Sequence, residues 1–161
     1  MPALDLIDRQ IIQILNQDAR AASAEIARQV GIPERTVHNR LHRLLEGGFI
    51  KAVAVVNPRA FGYALAVDIF CTVDLGRMEE ATEALRAMPE ISYIAISTGD
   101  QDLSIQALFK SIEEMQDFIT QKMHQVPGMQ RTRTVLIPRI VKDTHQWLPP
   151  EESFNEGRAG G

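Results

Sequence analysis

The segment Gly31-Ile32-Pro33-Glu34-Arg35-Thr36-Val37-His38-Asn39-Arg40-Leu41-His42-Arg43-Leu44 restricts the folds open to this chain more than any other stretch. Val37, Leu41, Leu44 and Leu45 recur at helical spacing and predict a buried stripe, while Pro33 preorganises the first turn and removes no needed N–H. At about 100° per residue, Arg35, Asn39 and His42 fall opposite Val37, His38 lies beside them, and Thr36, Arg40 and Arg43 form a flank. Guanidiniums suit phosphates and guanine edges, and an Asn amide suits adenine, so this helix carries the groups that DNA readout needs. A charged helix face by itself is usually only solvated. Its neighbours decide what it is.

Upstream, Leu4, Ile7, Ile11, Ile14 and Leu15 predict a first helix, with Asp5 as N-cap and Asp8 three positions on, where a carboxylate complements the helix dipole. A second short helix from about Ser23 to Val30 turns Ile26, Ala27 and Val30 inward, and Gly31 supplies the turn into the basic helix. Helix, helix, glycine turn and basic helix make the helix-turn-helix arrangement, in which the second helix of the pair enters the major groove.

The 161 residues suit one medium or two small domains, and 45% apolar residues can build a packed core. A net charge of −4 looks wrong for a nucleic-acid binder, but it is unevenly spread: residues 1–57 hold seven cations against six anions, a balance of +1, leaving −5 for the remainder. Affinity for DNA would come from local placement on one helix and from pairing two subunits. Cys71 is the only cysteine, so an intrachain disulfide and a thiolate zinc site are excluded, and a reducing cytoplasm fits. No leader pattern and no membrane-spanning apolar run is evident, and the chain reads as cytoplasmic with no membrane partner.

Past the basic helix, Gly47-Gly48 reads as a stop and Ile50 to Val56 as a β-branched linker strand. The pattern then becomes strand (64–75), helix (77–88, with Met78, Ala81, Leu85 and Met88 inward), strand (91–98) and strand (102–109). A second helix, with Ile112, Met115, Phe118, Ile119 and Met123 inward, and a last strand (129–137) close it. This βαββαβ order is the ferredoxin-like split unit, with both helices on one sheet face and the other face open to a partner or ligand. The fold class is α+β: a helix-turn-helix (winged-helix-like) DNA-binding domain over 1–49, a linker strand and hinge over 50–62, a ferredoxin-like effector-binding and oligomerisation domain over 63–143, and a mobile tail over 144–161.

The chain resembles the Lrp/AsnC (leucine-responsive, feast/famine) transcriptional regulators. The residues that carry the likeness are Leu4-Asp5-x-x-Asp8, Asp18-Ala19-Arg20, Glu25-Ile26-Ala27, Thr36-Val37-x-x-Arg40-Leu41-x-Arg43-Leu44, Gly48-Phe49-Ile50, Phe61-Gly62-Tyr63, Thr98-Gly99-Asp100-x-Asp102, and Val126-Pro127-Gly128 leading to Thr132-x-Thr134. The resemblance implies a regulator that binds double-stranded DNA at palindromic operators, senses an amino acid between carboxy-terminal domains, and forms homodimers that gather into octamers or similar assemblies. Three positions depart from the family pattern. Ala22 stands where Ser or Thr usually caps the second helix, with Ser23 as a cap one residue late, Pro33 stands at the cap of the basic helix, and Gln101 replaces an aromatic of the sensing loop.

Arg40 and Arg43 are expected on phosphates, and Arg35, Thr36, His38, Asn39 and His42 at or beside base edges. His38 and His42 could in principle share a metal, but no third ligand or His-Glu-x-x-His pattern accompanies them, and a groove-facing pair is expected instead. The effector site is expected at Thr98, Gly99, Asp100, Gln101 and Asp102, where a glycine exposes backbone N–H groups to a carboxylate and an acidic side chain can meet an ammonium. By the resemblance, Thr132 and Thr134 join it from an adjoining subunit. No catalytic residue, cofactor or metal is expected. The rival readings are a ligand-independent DNA-architectural protein and an enzyme like the siroheme decarboxylases, against which the lack of His in Ile91–Thr98 argues.

Overall fold

The computed structural model describes residues 4–154 and divides into two units, one holding the chain up to Val55 together with the part from Val141 on, the other spanning Val56–Ile140. In the first unit α1 (Leu6–Gln17), α2 (Ser23–Val30) and α3 (Glu34–Glu46) close around Ile11, Ile26, Val37 and Leu44, all fully buried. α1 opens on a reciprocal capping box: the Asp8 amide donates to Asp5 Oδ1 and the Asp5 amide to Asp8 Oδ2, each at 3.0 Å. α2 lacks a side-chain cap, because Ser23 already lies inside the helix and Ala22 at the cap has nothing to offer. Gly31 ends it at φ 75°, a left-handed turn that only glycine adopts freely, and this sets the entry into α3. Leu45, expected in the buried stripe, is 45% exposed. It sits about 80° around the helix from Val37, whereas Leu41 and Leu44 stay within about 40° of it.

Two expectations for this unit are corrected. Residues 51–57 form no strand, and Val53, Val55 and Val56 stand exposed; a strand needs a second backbone to pair with, and the single chain offers none here. The region 144–154, expected to be a mobile tail, is folded. It makes two 3₁₀ turns, Thr144–Gln146 and Glu151–Phe154, and Phe154 is buried beside Ile11, Ile12 and Leu44 with Leu148 packed against the same core. The rest of the expected tail, 155–161, lies outside the described residues.

The second unit is a four-stranded antiparallel sheet in the order β2-β3-β1-β4, formed by β1 (Leu65–Val73), β2 (Ile91–Ile96), β3 (Leu103–Phe109) and β4 (Met129–Ile137). Alternation decides its faces: Val67, Ile69, Cys71 and Val73 of β1 and Leu103, Ile105, Ala107 and Phe109 of β3 are buried under α4 (Met78–Arg86) and α5 (Ile112–Asp117), and the residues between them face the open side. Burial pushes the Cys71 thiol up to about 12, so it behaves as an apolar side chain. After Asp117 the second helix widens into a π turn, Phe118–Lys122, closed by the Met123 amide on the Phe118 carbonyl. That extra residue brings Phe118 and Met123, five apart, into the same core. Ile112, expected inward, is exposed at the first position of α5. No helix among the described residues is long and apolar enough to cross a membrane.

Candidate functional site

Two surfaces carry functional chemistry, one in each unit. On α3, Arg35, His38, Asn39 and His42 are exposed along one side while Val37 and Leu44 anchor the other, and Thr36 is half-buried between them. Glu34 sits at the positive end of the helix dipole. His42 Nε2 lies 3.1 Å from Glu46 Oε1, one turn on. Arg35 has no ion-pair partner among the described residues, so its guanidinium is available to a ligand. The arrangement presents donors and acceptors in the pattern that base edges accept.

Arg40 and Arg43 do something else. Asp8, whose side chain is fully buried, receives Arg40 Nη1 at 2.9 Å on Oδ1 and Arg43 Nη2 at 2.6 Å on Oδ2, and Arg40 Nη1 also reaches Asp5 Oδ1 at 2.7 Å. A carboxylate taken out of water needs charge pairing and hydrogen bonds to offset its burial, and these two guanidiniums with the Asp5 amide supply them. The Arg40 side chain is only 20% exposed. Arg40 and Arg43, expected on phosphates, are thus engaged within the unit, where both tie α3 to the start of α1. Burial opposes ionisation of Asp5, but the Asp8 amide and the Arg40 guanidinium outweigh it and hold its carboxyl below the ordinary range.

In the second unit, a cavity of about 510 Å³ opens on the helix-free face, lined by Phe70, Thr72, Asp100, Gln101, Arg131, Thr132 and Arg133. β1 supplies Phe70 and Thr72, the turn between β2 and β3 supplies Asp100 and Gln101, and β4 supplies the arginines. The register pairs Thr72 with Arg131 and Phe70 with Arg133, so these four point to one face. Arg133 lies 4.7 Å from the Phe70 ring centroid, a cation–π contact that fixes the side chain and leaves its N–H groups open. Gly99 adopts φ 136°, and open space surrounds the position a Cβ would take.

Of the seven expected effector residues, Asp100, Gln101 and Thr132 line this cavity, and Thr98, Gly99, Asp102 and Thr134 do not. Asp102 is committed to the sheet: its Oδ2 accepts the Val73 amide at 2.8 Å, its amide donates to the Cys71 carbonyl, and its carbonyl accepts from Ser97. Register pairs Thr132 with Cys71 and Thr134 with Ile69, strand positions opposite in phase to Arg131 and Arg133. Arg131 and Arg133, absent from the expected site, take the open face. The signal was present as the alternation Arg-Thr-Arg-Thr, but which phase faces outward is set by the pairing of Arg131 with Thr72 and Arg133 with Phe70.

Comparison with known proteins bears on both surfaces. The AsnC-type helix-turn-helix domain family matches residues 4–45, and the Lrp/AsnC ligand binding domain family matches residues 68–147. The helix-turn-helix-type transcriptional regulator FL11 of Pyrococcus furiosus is 36% identical over 142 residues, covering 88% of this chain and 93% of that protein. An uncharacterised helix-turn-helix-type transcriptional regulator of Pyrococcus horikoshii is 34% identical over 140 residues, covering 86% and 89%. Among solved structures, Escherichia coli AsnC superposes with a TM-score of 0.81 at 25% identity, covering 88% of this chain and 98% of that one. A Neisseria meningitidis transcriptional regulator in complex with L-Met reaches a TM-score of 0.83 at 22% identity, covering 89% and 96%, and shares the fold.

Proposed function

Because this chain belongs to the Lrp/AsnC family and is a DNA-binding transcriptional regulator, we propose that it reads specific operators with α3 and that an amino acid in the sheet cavity sets how it does so. The observation that carries this is the exposed row Arg35, His38, Asn39 and His42, held outward by the buried Val37 and Leu44 and locked to α1 through Asp8. Thr36 flanks the row. Arg40 and Arg43 act by fixing the angle of α3, and base recognition falls to the row itself.

A single α3 contacts few phosphates, so two copies act together. The exposed Val53, Val55 and Val56 and the open sheet face support pairing between subunits, which would set two α3 helices into major grooves about 34 Å apart on a palindromic site. Larger assemblies extend the same contacts. The complement Asp100, Gln101, Arg131 and Arg133 supports a zwitterionic effector held on the carboxy-terminal domain, and the L-Met bound to the Neisseria regulator supports an amino acid. Such an effector shifts assembly or helix spacing only as far as its affinity differs between the two states. The regulator acts in the cytoplasm, without catalysis.

Fluorescence anisotropy against DNA from upstream of its own gene, at fixed salt and with or without pooled amino acids, tests both halves. Selective binding that moves with the pool is expected. Selective binding without a shift removes the sensing half, and binding without sequence preference removes operator recognition.

A further inference from the structure

We propose that the sheet cavity selects an acidic amino acid, a small molecule with two carboxylates and one ammonium; this rests on the reading of the cavity as the effector site. Charge sets this cavity apart from the rest of its unit. Residues 56–140 carry eleven carboxylates and eight cations, and Arg77, Arg86 and Lys122 are answered by Glu80, Glu83 and Glu90. Arg131 and Arg133 have no ion-pair partner among the described residues, although the unit as a whole has carboxylates to spare.

Both guanidiniums line the same cavity, two residues apart on one face of β4 and so about 7 Å apart along the strand. Arginine presents a fork that matches a carboxylate bidentately, and two forks at that spacing match a short diacid. Asp100 is the one carboxylate on the cavity wall and answers one ammonium, and the Gln101 amide has donors left for a carboxylate oxygen. Two arginines against one aspartate give the wall a charge of +1, complementary to the −1 of glutamate or aspartate. A neutral amino acid leaves one guanidinium without a partner, and a basic one places like charges together, so the same groups that attract the acid reject its rivals.

Isothermal titration of the full chain with L-glutamate and L-aspartate, each against its amide, L-leucine, L-lysine and succinate, tests this directly. The expected result is that one of the acids binds at least about tenfold tighter than its amide, since a charge-assisted pair replaces a neutral contact. Arg131→Gln and Arg133→Gln should each erase most of that preference by weakening the acid while leaving the amide nearly unchanged, and succinate should bind more weakly than glutamate. Stronger binding of leucine, lysine or an amide overturns the acidic class while leaving amino-acid sensing intact. Succinate equal to glutamate removes the ammonium, and with it the amino acid. Binding of none of these by protein that still binds its operator overturns both the class and the cavity's sensing role.

Discussion

Two pairs of arginines look alike in the sequence and do opposite things in the structure. Arg40 and Arg43 lie three apart on α3, the helix proposed to read DNA, yet both are drawn back onto Asp8, and Arg40 onto Asp5 as well. Arg131 and Arg133 lie two apart on β4 in an acidic unit, yet neither meets a carboxylate, and both front an open cavity. A cation is free to bind something else only when the fold places no acid within reach. In the first pair the acid comes from a capping box more than thirty residues away, and in the second neither guanidinium has an ion-pair partner among the described residues, although both share the cavity wall with Asp100. Net charge therefore says little here about where a ligand binds.

The sharpest way to break this contrast is to remove the acid on each side. Asp8→Ala should destabilise the first unit by about 3 kcal/mol, because it leaves Arg43 without its partner, Arg40 with Asp5 alone, and α1 without half of its capping box, whereas Asp100→Ala should stay within about 0.5 kcal/mol. Urea unfolding followed by helical circular dichroism reads both, and equal losses would end the distinction. Of similar size, Arg40→Ala should cost about 3 kcal/mol of stability, at the lower limit for a buried pair because the side chain keeps some contact with water, while Arg131→Ala leaves thermal unfolding nearly unchanged. Asn39→Ala sharpens the comparison from the DNA side: discrimination between operator and scrambled sequence should fall by about 1–3 kcal/mol with stability intact, measured by competition binding. A uniform loss across all sequences would move Asn39 from base edge to phosphate.

The smallest effect is pH-dependent. The Asp5 carboxyl is held below its ordinary range in the folded state, so its contribution is present at neutral pH and is lost as pH falls through that lowered value, below about pH 4. Its side chain is 53% exposed, which screens the interaction to a few tenths of a kcal/mol. Asp5→Asn should flatten the acid limb of a stability profile by that amount, and an unaltered limb would show that Asp5 contributes nothing to it.

Much of this was legible in the residues. The three helices of the first unit announce themselves through apolar periodicity, the Asp5 cap and Gly31, and the βαββαβ order follows from strand and helix periods with turn glycines between them. The exposed row Arg35, His38, Asn39 and His42 could be placed because helical geometry fixes which residues lie opposite Val37. The cavity could be placed only in part. Asp100 and Gln101 sit on a recognisable turn, but in Arg131-Thr132-Arg133-Thr134 either phase can face outward, and the deciding register is set by hydrogen bonds between distant strands. The commitment of Asp102 to the Val73 amide and of Arg40 to Asp8 has the same origin. Composition also misled: Pro149-Pro150-Glu151-Glu152 reads as a solvated tail, and nothing local tells that Phe154 has a place in a core built by residues 11–44.

That place for Phe154 has a consequence for how the protein is made. The three helices of the helix-turn-helix domain are synthesised ahead of the sheet domain, but the side chain that completes their core follows more than a hundred residues later, after the whole sheet domain. Until then the core around Ile11 and Ile12 lacks the Phe154 side chain that packs against it in the finished fold. In the nascent chain this core is therefore completed last, and a regulator truncated anywhere before residue 154 would emerge with its helix-turn-helix domain unfinished.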